Sequence, residues 1–118
     1  MLKNNICLIA SFFDTIHETR KFISSSDIKY EYPTIVLQPD ELSINNYITK
    51  FLKDHTNVNS PETIYPQLIT VKKYTDKLDL VYNIHLPVNT SLRNSIYFLQ
   101  TYNVAIINAY VRKAIQYI

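Results

Sequence analysis

The chain of 118 residues contains no glycine, and this absence restricts both its turns and its possible ligand sites. Glycine adopts positive φ angles without steric cost, and the P-loop and the dinucleotide-binding fingerprint depend on it. These phosphate-binding loops are therefore excluded. Turns that need a positive φ must use asparagine or aspartate instead. The asparagines available for this role are Asn45, Asn46, Asn57, Asn59, Asn89 and Asn103.

Size and composition predict one ordinary intracellular domain. With 47% hydrophobic and 19% charged residues, the chain can form a buried core, and we expect a single domain spanning residues 1–118.

The net charge of +2 does not by itself indicate a nucleic-acid partner, and no pattern is specific for DNA. The lone Cys7 excludes an internal disulfide and a cysteine-based zinc site, and it is typical of the reducing cytoplasm. The apolar run at residues 6–13 is too short to span a membrane.

The first third of the chain predicts two strands. Residues 6–13 form an apolar, partly β-branched run of strand length. Residues 14–25 are polar and charged, and they predict either a helical turn or a hairpin connection. Residues 35–37 lie between two prolines and predict a short strand, which Pro39 ends.

A helix is predicted from Ser43 onward, because this serine is a suitable N-cap residue. The apolar residues that follow recur at helical spacing and form one stripe: Ile44, Tyr47, Ile48, Phe51 and Leu52. We expect Asn57 to end the helix in place of a glycine.

The second half of the chain predicts an antiparallel hairpin and a final helix. The hairpin strands cover residues 68–74 and 78–86, with a turn at 75–77. A continuous apolar stripe predicts a C-terminal helix over residues 104–118. Helices that alternate with strands, one pair of which is antiparallel, imply a mixed sheet covered on two faces, so we expect an α/β (α+β) fold.

The segment YPTIVLQPDE, residues 32–41, precedes the predicted helix and has a distinctive pattern. Together with the element order, it resembles the Nudix (MutT-like) hydrolases, in which a strand ending in Leu-Pro-Gly-Gly leads to Pro-Gly-Glu and a catalytic helix. The residues that match are Pro33, Leu37, Pro39 and Glu41. The resemblance covers nearly the whole chain, is architectural, and implies an α/β/α sandwich with a mixed β-sheet.

The catalytic box of that family is largely empty in this sequence. When Val58 is aligned with the last aliphatic residue of the box, Lys50 replaces its arginine and Phe51 its first glutamate. Asp54 and His55 then replace the paired glutamates. Hard cations such as Mg²⁺ need several oxygen ligands close together, so we expect no metal site and no cofactor.

The resemblance therefore implies a non-catalytic Nudix-type module that binds a nucleotide, RNA or a protein partner, for example in a phage or an organelle assembly. The abundance of Ile, Asn, Lys and Tyr is typical of AT-biased genomes such as those of many phages. One alternative is a divergent hydrolase of nucleoside diphosphate derivatives that uses Glu41, Asp54 and His55 with Mg²⁺. A further alternative is a structural or oligomerisation domain, in which the final helix forms a homodimer contact.

The candidate ligand-binding residues are Tyr32, Tyr47, Phe51 and His85. Tyr47 and Phe51 lie on the helix that corresponds to the box, and His85 lies on the less apolar face of its strand. Tyrosines interleaved with lysines can stack bases and contact phosphates, although the same residues can serve as packing at a sheet edge. This mixed group contains Tyr30, Tyr32, Tyr65, Tyr74, Lys29, Lys72 and Lys73.

Overall fold

The computed structural model describes residues 3–39 and 43–101. These residues form a six-stranded mixed sheet, one α-helix and a short 3₁₀ helix, which confirms the expected mixed α+β class. The elements are β1 (Lys3–Asp14), β2 (Thr19–Ser24), β3 (Thr34–Val36), α1 (Ile44–His55), the 3₁₀ helix Pro61–Thr63, β4 (Gln67–Lys73), β5 (Lys77–His85) and β6 (Phe98–Thr101).

Strand β1 is the centre of the sheet, whose order is β4-β5-β1-β2-β6. One edge of β1 pairs in parallel with β5 over residues 3–11. The other edge is shared, because β3 pairs with residues 5–7 and β2 with residues 11–14, both antiparallel. A strand that is paired on both edges and covered on both faces must be apolar almost throughout, which explains its hydrophobic run at residues 6–13, where the buried Ser11 is the one polar residue.

The alternating side chains of β1 form two separate cores. Toward α1 it contributes Ile6, Leu8, Ala10 and Phe12, and the helix contributes Ile48, Phe51 and Leu52. On the opposite face, Cys7 and Ile9 form a smaller core with Phe22 and Val81. Tyr30, Tyr32 and Ile69 pack against this second core. The predicted helix at residues 104–118 lies outside the described residues.

The segment at residues 14–25 is a hairpin connection followed by strand β2, so the hairpin alternative is confirmed. The carboxylate of Asp14 holds the turn, since its Oδ1 accepts from the backbone N–H groups of Ile16 and His17 at 2.9 and 3.2 Å. Its Oδ2 lies 2.7 Å from Nδ1 of His17, and this hydrogen bond lowers the pKa of Asp14.

The helix starts as predicted but ends differently. Ser43 is the N-cap, and its side chain accepts from the backbone N–H of Asn46. The prediction that Asn57 ends the helix is wrong, because Thr56 is the C-cap in an extended conformation, with φ −131°. The buried hydroxyl of Thr56 donates to the carbonyl of Leu52 at 2.7 Å, so the chain leaves the helix without a left-handed residue.

In the described part of the chain, no helix is both long enough and apolar enough to cross a membrane.

Candidate ligand-binding site

A cavity of about 440 Å³ lies between β3 and α1, and we call it the helix-side cavity. Its lining residues are Thr34, Ile35, Val36, Gln38, Tyr47, Lys50, Phe51, Asp54, His55 and Tyr97. Five of these residues come from α1 at helical spacing, which places them along one side of the helix. The cavity therefore lies alongside α1, the helix that the resemblance aligns with the Nudix box.

An aromatic cluster forms one wall of the helix-side cavity. The ring centroids of Phe51 and His55 are 5.0 Å apart, and those of His55 and Tyr97 are 4.8 Å apart. Phe51 and Tyr97 complete the cluster at 5.1 Å with an edge-on geometry. Burial raises the pKa of Tyr97, so its hydroxyl stays protonated to a higher pH than that of an exposed tyrosine.

His55 is part of this aromatic packing. Its Nδ1 lies 3.2 Å from the side-chain amide nitrogen of Asn94, which fixes the ring between two aromatic neighbours. Asp54 is exposed next to it. The pattern at these two positions is that of a polar helix C-terminus, where a histidine lies close to the last carbonyl groups.

Tyr47 holds the chain that follows β3 at the edge of the cavity. Its hydroxyl accepts from the backbone N–H of Gln38 at 3.1 Å and donates to the carbonyl of the same residue at 3.4 Å. A side chain from the helix therefore fixes the position of a backbone segment on the opposite wall. Lys50 is the cationic side chain of the lining and is exposed to solvent.

The donor atoms that residues 3–39 and 43–101 place around the cavity do not fit a Mg²⁺ ion. Among the described residues, no group of three or more His, Cys, Asp or Glu side chains could hold a metal. Asp54 supplies one carboxylate and His55 an imidazole that packs against aromatic rings. Mg²⁺ prefers several oxygen ligands in octahedral geometry, which this pair does not supply. Glu41, the third candidate, lies outside the described residues.

The structure brings together only part of the predicted ligand-binding set. Tyr47 and Phe51 line the helix-side cavity, but Tyr32 packs on the opposite face of the sheet. His85 is exposed at the end of β5, and its Nε2 lies 3.2 Å from the amide nitrogen of Asn83. Tyr97 was missed, because it lies 46 residues beyond Phe51 in sequence and no local pattern links the two.

The predicted tyrosine–lysine group is also partly assembled. Tyr30, Tyr32, Tyr74 and Lys72 line a second cavity, of about 300 Å³, which we call the tyrosine-side cavity. Tyr65 does not line it and is 89% exposed.

A third cleft, of about 350 Å³, has only uncharged side chains in its lining. Two of its amides already form internal hydrogen bonds. Oδ1 of Asn57 accepts from the backbone N–H of Ser91, and Oδ1 of Asn89 accepts from that of Thr15. These amides stabilise the loops and offer little recognition chemistry.

The fold and the site define a mixed α+β protein with an aromatic cavity between a helix and its sheet. No protein-family model matches the chain, and comparison with curated proteins finds no significant sequence relative.

Proposed function

We propose that this protein is a non-catalytic, Nudix-type module that binds a nucleotide in the helix-side cavity. The observation that carries the proposal is the aromatic cluster of Phe51, His55 and Tyr97 in the cavity wall. Two of these rings occupy positions at which the Nudix resemblance aligns metal-binding glutamates. A Nudix hydrolase needs metal-binding carboxylates at these positions. In this protein the same positions carry rings on which a planar base can stack.

The lining of the cavity contains groups that can bind the base and the phosphate of a nucleotide. Aromatic rings stack nucleobases, and each stacked base contributes about 1–3 kcal/mol. Lys50 supplies a positive charge at the mouth, where an exposed ammonium can pair with a phosphate. Thr34 and Gln38 add polar atoms on the opposite wall. The volume of about 440 Å³ lies within the range of small-molecule sites.

Calorimetric titration of the protein with AMP, ADP, ATP and ADP-ribose, with and without Mg²⁺, tests this function. We expect binding that does not require Mg²⁺ and weakens roughly tenfold in Lys50→Ala, because a charge-assisted contact is removed. Lys53→Ala is the matched control, since Lys53 is exposed on the same helix but does not line the cavity. We expect that variant to bind like the wild type.

Two results would contradict the proposal. Absence of binding by every nucleotide would leave the cavity without its proposed ligand. Mg²⁺-dependent cleavage of ADP-ribose into AMP and ribose 5-phosphate would instead support the divergent hydrolase.

A further inference from the structure

The tyrosine-side cavity lies on the sheet face opposite α1, where Cys7 belongs to the smaller core. Its lining residues are Cys7, Tyr30, Glu31, Tyr32, Thr34, Lys72, Tyr74 and Asp79. Thr34 also lines the helix-side cavity, but the aromatic and charged residues of the two cavities are different. The proposed function does not use this second cavity.

A buried carboxylate is the main polar feature of the tyrosine-side cavity. Asp79 is only 7% exposed, and its Oδ1 accepts from the side-chain amide of Asn5 at 3.1 Å. Its Oδ2 forms a long ion pair, 3.7 Å, with Nζ of Lys77. A carboxylate has about four lone-pair positions, so two partners leave acceptor capacity on both oxygens. Desolvated carboxylates form strong hydrogen bonds with suitable donors.

A lysine residue lies directly opposite Asp79 because of the strand register. Lys72 of β4 is the direct cross-strand partner of Asp79 of β5. Directly opposed residues of an antiparallel pair have Cβ atoms about 5 Å apart and share one face of the sheet. Both residues line the cavity. The polar edge of the cavity therefore combines the two carboxylate acceptors of Asp79 with the ammonium group of Lys72, which lies 6.0 Å from the ring centroid of Tyr74.

Tyrosine rings form the walls around this polar edge. Tyr30 and Tyr32 contact each other edge-on with centroids 4.8 Å apart, and Tyr30 packs on Phe22 in the same way at 5.6 Å. The ring of Tyr74 is held by Nζ of Lys77, which lies 4.7 Å from its centroid. The rings are thus fixed by their neighbours and can receive a planar ligand with little loss of side-chain entropy.

We propose that the tyrosine-side cavity binds a 2-amino-4-oxopyrimidine ring, the recognition edge that guanine and pterins share. That edge has an exocyclic amine and a ring N–H, which would donate to the two oxygens of Asp79. The adjacent ring carbonyl accepts from Lys72. The tyrosines contact the faces of the ring. Adenine and uracil each place an acceptor opposite the carboxylate of Asp79. They therefore match the acceptors of Asp79 and the donor of Lys72 poorly.

Titration of the ¹⁵N-labelled protein with nucleosides tests the proposal without involving any phosphate. We expect guanosine to bind about tenfold or more tightly than inosine, which lacks the amine, and than adenosine. A parallel titration with pterin shows whether the cavity prefers guanine or a pterin, the two ring systems that carry this edge. We expect the amide resonances of residues 72–74 and 79 to shift. Shifts confined to α1 would place the ligand in the helix-side cavity and overturn this proposal, whatever the outcome for nucleotides.

Two variants define the roles of the polar residues. Asp79→Asn replaces acceptors with an amide that also donates, and Lys72→Ala removes the donor for the carbonyl. Each is expected to weaken guanosine or pterin binding about tenfold or more. Lys73→Ala is the control, because it is exposed on the same strand but does not line the cavity.

If Asp79→Asn does not fold, Lys72→Ala and the comparison of guanosine with inosine still decide the result. Equal affinity for these two nucleosides, no binding of guanosine or pterin, or unchanged binding by Lys72→Ala would each overturn the proposal.

Discussion

At the scale of single residues, the lack of glycine forces non-glycine residues into positive φ angles in two turns. Among the described residues, positive φ angles occur at Asn89 (58°) and Glu18 (53°). Asn89 is one of the asparagines that the sequence predicts for this role. Glu18 could not be predicted, because its conformation follows from the β1–β2 register, which pairs Asp14 with Thr19 and leaves four residues for the turn. A register is a property of two strands and not of one residue type.

We predict that Glu18→Gly stabilises the protein. A non-glycine residue in the left-handed region is strained, and relief of that strain exceeds the entropic cost of glycine, for a net gain of about 0.5–1 kcal/mol. Urea denaturation measures the free energy of unfolding. Thr75→Gly is the control, because Thr75 lies in the β4–β5 turn without a positive φ and should lose about 0.5 kcal/mol. A loss of stability in Glu18→Gly would contradict this prediction.

At the scale of elements, local patterns were more informative than distant pairings. Helix α1 follows from its apolar stripe and the Ser43 N-cap, both of which are contained within a dozen residues. The β4–β5 hairpin follows from alternation and a short turn. Strand β6 was not predicted, since Phe98–Thr101 is a strand only because it pairs with β2, some 75 residues earlier in the chain. A four-residue edge strand carries too little periodicity of its own.

The N-cap of α1 gives a test at this scale. Ser43→Ala removes the side-chain acceptor of the Asn46 N–H and should cost about 1 kcal/mol of unfolding free energy. Ser60 is the matched control, because it begins the 3₁₀ helix but forms no side-chain cap hydrogen bond. Ser60→Ala should change the stability by only a few tenths of a kcal/mol. Equal effects of the two substitutions would show that the cap does not stabilise the helix.

At the scale of the whole molecule, the site depends on how α1 docks on the sheet. Helical spacing alone predicts that Tyr47, Phe51 and His55 share one side of α1. It does not predict which distant segments face them, and for this reason Tyr97 and Gln38 were missed. The same limit applies to Tyr32, which packs against the smaller core on the other face of the sheet. Sequence therefore identifies the residues of one element, and the tertiary arrangement decides which elements form a cavity.

The docking of α1 depends on the core between the helix and the sheet. A substitution of Leu8, which lies in this core, tests that dependence. Leu8 is fully buried in the middle of β1 and belongs to the same core as Ile48 and Leu52 of the helix. Leu8→Ala should lower the free energy of unfolding by about 2–5 kcal/mol, because it removes apolar contacts and leaves a cavity. Domains of this kind have a total stability of about 5–15 kcal/mol, so the variant should unfold at a much lower urea concentration. Ile16→Ala is the control, since Ile16 is 81% exposed in the β1–β2 turn and should be nearly neutral. Similar urea midpoints for the two variants would mean that α1 and β1 are not held together by this core.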